Sequence, residues 1–162
     1  MEAKDINKII IFFITAFNNV YEEFTDRMVK MEGNIEKMEG NLFKGDGVVI
    51  LVSYTGKISG RMIINIPEEL GIEIHNILTE DDKTQIDDDV LITMNEFGNM
   101  VAGNAITHVN NKYRGYNIRL APPSSFSGKD LMFFNFKMDA YNVVLSDGKY
   151  KINYNVAFKE DE

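Results

Sequence analysis

GVVILVSYTGKISGRMIINIP, residues 47–67, decides the fold class. Two runs rich in β-branched residues flank Gly56-Lys57, and in the second run Ile58, Met62 and Ile64 alternate with more polar neighbours. That pattern is a β-hairpin with one apolar face. Pro67 then opens a short helix at its first position, and the apolar set Leu70, Ile74, Ile77 and Leu78 carries that helix to about Thr79. A hairpin of this kind must bury its apolar face against other elements, and the flanking sequence supplies them.

Upstream, Ile6, Ile9, Ile10, Phe13, Phe17, Val20 and Phe24 recur at spacings of three and four. This stripe predicts a helix from about Asp5 to Asp26 with Asp5 as its N-cap. KMEGNI at 30–35 is then nearly repeated as KMEGNL at 37–42, which reads as a strand with turns and receives no function. Downstream, TEDDKTQIDDD at 79–89 is an acidic link without the glycine and terminal glutamate of an EF-hand loop. Its last three aspartates, Asp87 to Asp89, suit the N-terminus of a long helix running from about Asp88 to Asn110.

Beyond that helix the pattern returns to β: YNIRLA, a Pro122-Pro123 turn with SSFSG, LMFFNFKMDAYNVVLS, an Asp147-Gly148 turn and YKINYNVAF. KEDE, residues 159–162, reads as an acidic tail, and no internal linker divides the chain. The expectation is a single α+β domain over residues 1–162. Its mainly antiparallel sheet carries the N-terminal helix and the long helix on one face.

Composition narrows the function classes. The chain has 162 residues and a formal charge of −8, with no local Lys/Arg cluster to offset it. Nucleic acid and anionic membrane are therefore poor partners. The absence of cysteine excludes disulfides, thiolate-bound zinc and thiol catalysis. IIIFFITAF at 9–17 is about half the ~20 residues of a spanning helix, and with Glu2 and Asp5 ahead of it and no small-residue cleavage site it is a poor signal peptide. The expected location is the cytoplasm.

The long helix contains MNEFGNMVAGNA, residues 94–105. With Glu96 set to zero on a helical wheel, Val90, Leu91, Met94, Phe97, Val101 and Ala105 fall between roughly 100° and 220°, the core face. Asn99, Gly103, Ile92 and Thr107 cluster around Glu96 on the opposite side. Glu96 and Asn99, at i and i+3, present their side chains together. Gly103 costs the helix roughly 1 kcal/mol against alanine and removes a side chain where an approaching surface would meet it. On periodicity alone a bland alternative stands, with Glu96 and Asn99 as ordinary surface residues and Gly98 and Gly103 as packing glycines. His108 falls near 120° on the wheel and reads as buried or interfacial, while His75 reads as surface. Phe133, Phe134 and Phe136 read as sheet packing rather than a base-stacking platform.

Glu96-x-x-Asn99-x-x-x-Gly103 on a long helix resembles the signature of the CheC, CheX and FliY chemotaxis phosphatases, which dephosphorylate the response regulator CheY. In that family a proline follows after 22 residues, and here Pro122 stands at that place. NMVAGNA, residues 99–105, is close to the wording of the CheX branch. YTGKISGRMIINIP at 54–67 and LAPPSSFSG at 120–128 resemble the family's hairpin and its Pro-to-Gly loop, and the first helix carries no second ExxN, as in CheX. The family pattern has Asp or Ser four residues before the glutamate; here that residue is Ile92.

The resemblance implies a phosphatase for the aspartyl phosphate of a CheY-like regulator. Asn99 would orient the attacking water, Glu96 would pair with the regulator's active-site lysine, and Gly103, with Ile92 and Pro122, would lie in the contact. Mg²⁺ would belong to the regulator, with no cofactor or metal site in this chain. It also implies a homodimer joined through its sheets. Two other readings remain: a non-catalytic module that binds or sequesters a receiver domain, which Ile92 would favour, and a flagellar switch component of the FliY kind.

Overall fold

The computed structural model describes residues 2–160 as three helices and one antiparallel sheet, an α+β arrangement. Helix α1 spans Ala3–Thr25; strands β1 (Lys30–Lys37), β2 (Leu42–Thr55) and β3 (Ile58–Ile66) follow. Helices α2 (Glu68–Thr79) and α3 (Asp88–Lys112) lead to β4 (Arg119–Leu120), β5 (Ser124–Phe134), β6 (Asp139–Ser146) and β7 (Lys151–Glu160). Across the sheet the order is β1-β6-β7-β3-β2, with β4 and β5 both paired to the outer side of β2.

Alternation along the strands sends Val48, Ile50, Val52 and Tyr54 of β2, Met62, Ile64 and Ile66 of β3, and Ile152, Tyr154 and Val156 of β7 into one core with the helices. From α1, Ile9, Ile10, Phe13, Phe17 and Val20 enter that core, and α3 contributes Val90, Met94, Phe97, Val101 and Ala105. The Tyr154 hydroxyl donates to the Phe13 carbonyl oxygen at 2.9 Å, so its polar tip is satisfied inside the core. At the other end of α1, the Arg27 guanidinium bridges Glu73 of α2 and Asp147 of the β6–β7 turn. The remaining face of the sheet has a smaller apolar cluster, in which Phe43 packs with Val49 and Ile63.

The hairpin and all three helices lie where the periodicity places them. Asp87 caps α3, its carboxylate accepting from the Val90 N–H at 3.0 Å. Five local expectations are corrected. Helix α1 starts earlier, because the Glu2 carbonyl accepts from the N–H groups of Asp5 and Ile6; Asp5 lies in the first turn and is not the cap. Pro67 is the N-cap of α2 rather than its first residue.

Pro122-Pro123 does not reverse the chain. Residues on both sides pair with β2, and SSFSG belongs to strand β5. Two consecutive residues without N–H groups interrupt the pairing of an edge strand and leave the chain extended. LMFFNFKMDAYNVVLS is two strands, β5 and β6, separated by residues 135–138, so Phe136 lies in their connection. Lys159 and Glu160 belong to β7; Asp161 and Glu162 of the expected tail lie outside the described residues.

Candidate functional site

Helix α3 lies on the sheet with its apolar side down, and the buried residues Val90, Met94, Phe97, Val101 and Ala105 fix its rotation. The opposite side is therefore presented outward as one stripe. Ile92 is 66% exposed, Glu96, Asn99 and Thr107 are exposed, and Gly103 is half-buried. Glu96 and Asn99 have no ion-pair or side-chain hydrogen-bond partner among the described residues. An acid and an amide one turn apart, both unengaged, form a ready recognition pair.

The two glycines of the helix have different reasons. At Gly98 a methyl group would run into the Ile50 side chain, so this glycine lets α3 settle on β2. At Gly103 a methyl group would meet nothing closer than Leu120 Cδ1 at 3.9 Å, an ordinary contact. Packing explains Gly98 and leaves Gly103 unexplained within the fold.

One wall of the stripe comes from the β4–β5 connection. Leu120 borders Gly103, and the Ser125 hydroxyl donates to Asn95 Oδ1 at 2.5 Å. Residues 121–124 bridge these two points, so exposed Pro122 runs past the turn that carries Asn99. The other wall is α1, where Phe24 packs on Phe97 with ring centroids 5.7 Å apart. The Asn95–Ser125 link was missed by sequence reasoning, since no periodicity connects residues 30 positions apart.

The surface reading of His75 is corrected, and of the two alternatives for His108 the buried one is overturned. His75 is buried, with Nδ1 2.6 Å from Thr93 Oγ1 and Nε2 3.2 Å from Asp81 Oδ2. The start of α3 and the turn after α2 cover it together. His108 is exposed and stacks on Phe12 with centroids 5.9 Å apart, because the flank of α1 covers only one side of its ring. Neither histidine lies on the Glu96–Asn99 stripe. Phe133 packs against the small sheet cluster, while Phe134 and Phe136 stack with centroids 5.4 Å apart and remain 47% and 64% exposed.

A family model described as chemotaxis phosphatase CheX matches residues 48–139, more than half of the chain and the whole Glu96-to-Pro122 region. The chain belongs to the CheX family. Its fold is that of a chemotaxis protein CheX from Desulfovibrio desulfuricans, with TM-score 0.82 at 21% identity over 94% of this chain and 99% of that one. A CheC-like superfamily protein from Shewanella sp. PV-4 is 25% identical over 98% of this chain and 99% of that one, with TM-score 0.82. The chain in a CheX–CheY–BeF₃–Mg²⁺ complex from Borrelia burgdorferi is 25% identical, covering 93% of this chain and 97% of that one, with TM-score 0.72. No curated protein matches the sequence significantly.

No helix among the described residues is long and apolar enough to cross a membrane. Nor do the described residues hold a group of three or more His, Asp or Glu that could hold a metal ion.

Proposed function

We propose that this protein hydrolyses the aspartyl phosphate of a CheY-like response regulator by inserting the Glu96–Asn99 rung of α3 into the regulator's active site. The observation that carries this reading is the outward pair of unengaged polar side chains on a helix whose rotation the core fixes. The CheX–CheY complex from Borrelia burgdorferi supports the choice of partner.

The chemistry asks little of the phosphatase. A phosphorylated receiver supplies its own Mg²⁺ and lysine around the phosphoryl group, and what remains is to hold a water in line with the bond that breaks. Phosphoryl transfer through a loose transition state is accelerated chiefly by positioning and charge stabilisation, so one well-placed amide is an adequate catalyst. The Asn99 carbonyl oxygen accepts from the water while its NH₂ donates to a phosphoryl oxygen. Glu96, on the same face, pairs with the receiver's lysine and sets the register of the helix. Gly103 gives clearance, and Ile92 and Pro122 add apolar contact at the margins.

The test is phosphate loss from a phosphorylated CheY-type receiver with this protein at substoichiometric concentration. Multiple turnovers are expected. Asn99→Ala should lower the rate by about a hundredfold or more while leaving the fold intact, and Glu96→Lys should weaken receiver binding. Stoichiometric protection of the phosphoryl group would instead establish the non-catalytic binding module, the reading that Ile92 favours. We also propose a homodimer joined through the sheets, supported by exposed Leu42, Met132, Phe134 and Phe136 on and beside edge strand β5. Light scattering of the purified protein decides it.

A further inference from the structure

The seam between α1 and α3 opens into a groove of about 330 Å³ whose lining includes Val20, Glu23, Met100, Gly103, Asn104 and Thr107. Gly103 and Thr107 belong both to the outward stripe and to the groove, so a surface docked along the whole stripe also borders the groove. We propose that this groove is a second contact site for the receiver and that it takes one basic side chain, lysine or arginine, from the receiver's surface; this rests on the phosphatase reading above.

Three observations set the chemistry of the occupant. The floor is apolar, with Val20 buried and Met100 half-buried, which suits the methylene stem of a long side chain. The rim carries the Glu23 carboxylate, exposed and without an ion-pair or side-chain hydrogen-bond partner among the described residues. No lysine or arginine lines the groove, and His108, which also lines it, is the one basic side chain there. The wall holds Asn104, whose Oδ1 is shielded from solvent and has no hydrogen-bond partner among the described residues. A donor entering beside it would relieve that uncompensated desolvation as the amide turns outward.

A basic occupant also matches the field of the molecule. The chain carries a formal charge of −8, and the stripe beside the groove adds Glu96 with the same sign as Glu23. Two carboxylates spaced along one helical seam would give the receiver two charge contacts. One is at its active site and one lies outside it, so orientation as well as affinity would be fixed. The division of labour follows: Asn99 acts on the chemical step, and Glu23 acts on docking only.

The experiment titrates CheY-type receivers, activated with beryllofluoride and Mg²⁺, against the full-length protein and its Glu23→Gln and Glu23→Lys variants at low and high salt. Glu23→Gln should weaken binding by about two- to fivefold at low salt. Glu23→Lys should weaken it by about tenfold. Both effects should shrink at high salt, and turnover at saturating receiver should stay at the wild-type value. Dissociation constants within twofold of wild type for both variants would overturn the proposal, as would a change confined to self-association. The two readings fail separately. If wild type turns over receiver while the Glu23 variants bind normally, only the groove is wrong; if wild type neither binds nor dephosphorylates any receiver, both are.

Discussion

Ser125 donates its hydroxyl to Asn95 Oδ1 at 2.5 Å, tying the start of β5 to α3 one residue before Glu96. The core sets the rotation of the helix, but this bond holds its outer flank against the edge of the sheet. It acts on the same rung of α3 that presents Ile92, Glu96 and Asn99. Ser125→Ala should cost about 1 kcal/mol of stability and slow turnover more than it weakens receiver binding. Ser125→Thr, which keeps the hydroxyl, should restore the rate. Thermal melts and a KM-against-kcat comparison check this, and equal kinetics for all three proteins would make the bond purely structural.

Gly98 and Gly103 give a paired prediction because they share a helix but not a reason. Gly98→Ala places a methyl group against Ile50 and should destabilise the fold by about 1–3 kcal/mol through overpacking. Gly103→Ala meets only Leu120, at van der Waals distance, and should stabilise α3 by about 1 kcal/mol. If Gly103 provides clearance for a partner, the more stable variant is also the poorer phosphatase. Denaturant unfolding and turnover measured on both variants separate the cases. A Gly103→Ala protein that is both stable and fully active removes the clearance role.

This asymmetry also marks how far the sequence could be read. Helical geometry alone puts Glu96, Asn99 and Gly103 on one face, so that face was legible before any tertiary contact was known. Which glycine serves packing was not, because the answer depends on where Ile50 of β2 lies beneath α3. Burial at the histidines was not legible, for the same reason. A wheel gives each an angle, but burial of His75 comes from Thr93 and Asp81 beside it, and His108 is covered only on one ring face by Phe12. Pro122-Pro123 looked like a reversal because prolines mark turns. The partner strand β2 continues past them and keeps the chain extended.

Acid stability should depend on Asp147. Its side chain is shielded from solvent, and that burial pushes its pKa up. The Tyr21 hydroxyl, the N–H groups of Tyr150 and Lys149, and Arg27 outweigh burial and hold the carboxyl at about 2, below its ordinary 3.8. A depressed carboxylate contributes stability above its unfolded pKa and loses it as pH falls through the folded one, so the window is between about pH 4 and 2. Asp147→Asn should lower stability at pH 7 by on the order of 2 kcal/mol. The gap to wild type should close across that window in melts recorded as a function of pH. A gap that stays constant down to pH 2 would show that another group governs acid unfolding.

Ile92 tests whether the site is active or has lost its chemistry. It lies one turn before Glu96, and at 66% exposure an isoleucine there is apolar surface facing the proposed receiver. Ile92→Asp restores the residue type usual in the family's pattern. An acid in this first half of α3 is tolerated by the helix dipole, and it removes no core contact. Stability should therefore stay within about 0.5 kcal/mol of wild type. If Ile92 contacts the receiver, the aspartate replaces buried apolar area with a charge and raises KM severalfold at unchanged kcat. If wild type binds without turnover and Ile92→Asp creates turnover, then residue 92 marks the point at which a binding module diverged from a phosphatase. Steady-state kinetics of the two proteins on one phosphorylated receiver distinguish these outcomes, because the first moves KM upward and the second moves kcat upward.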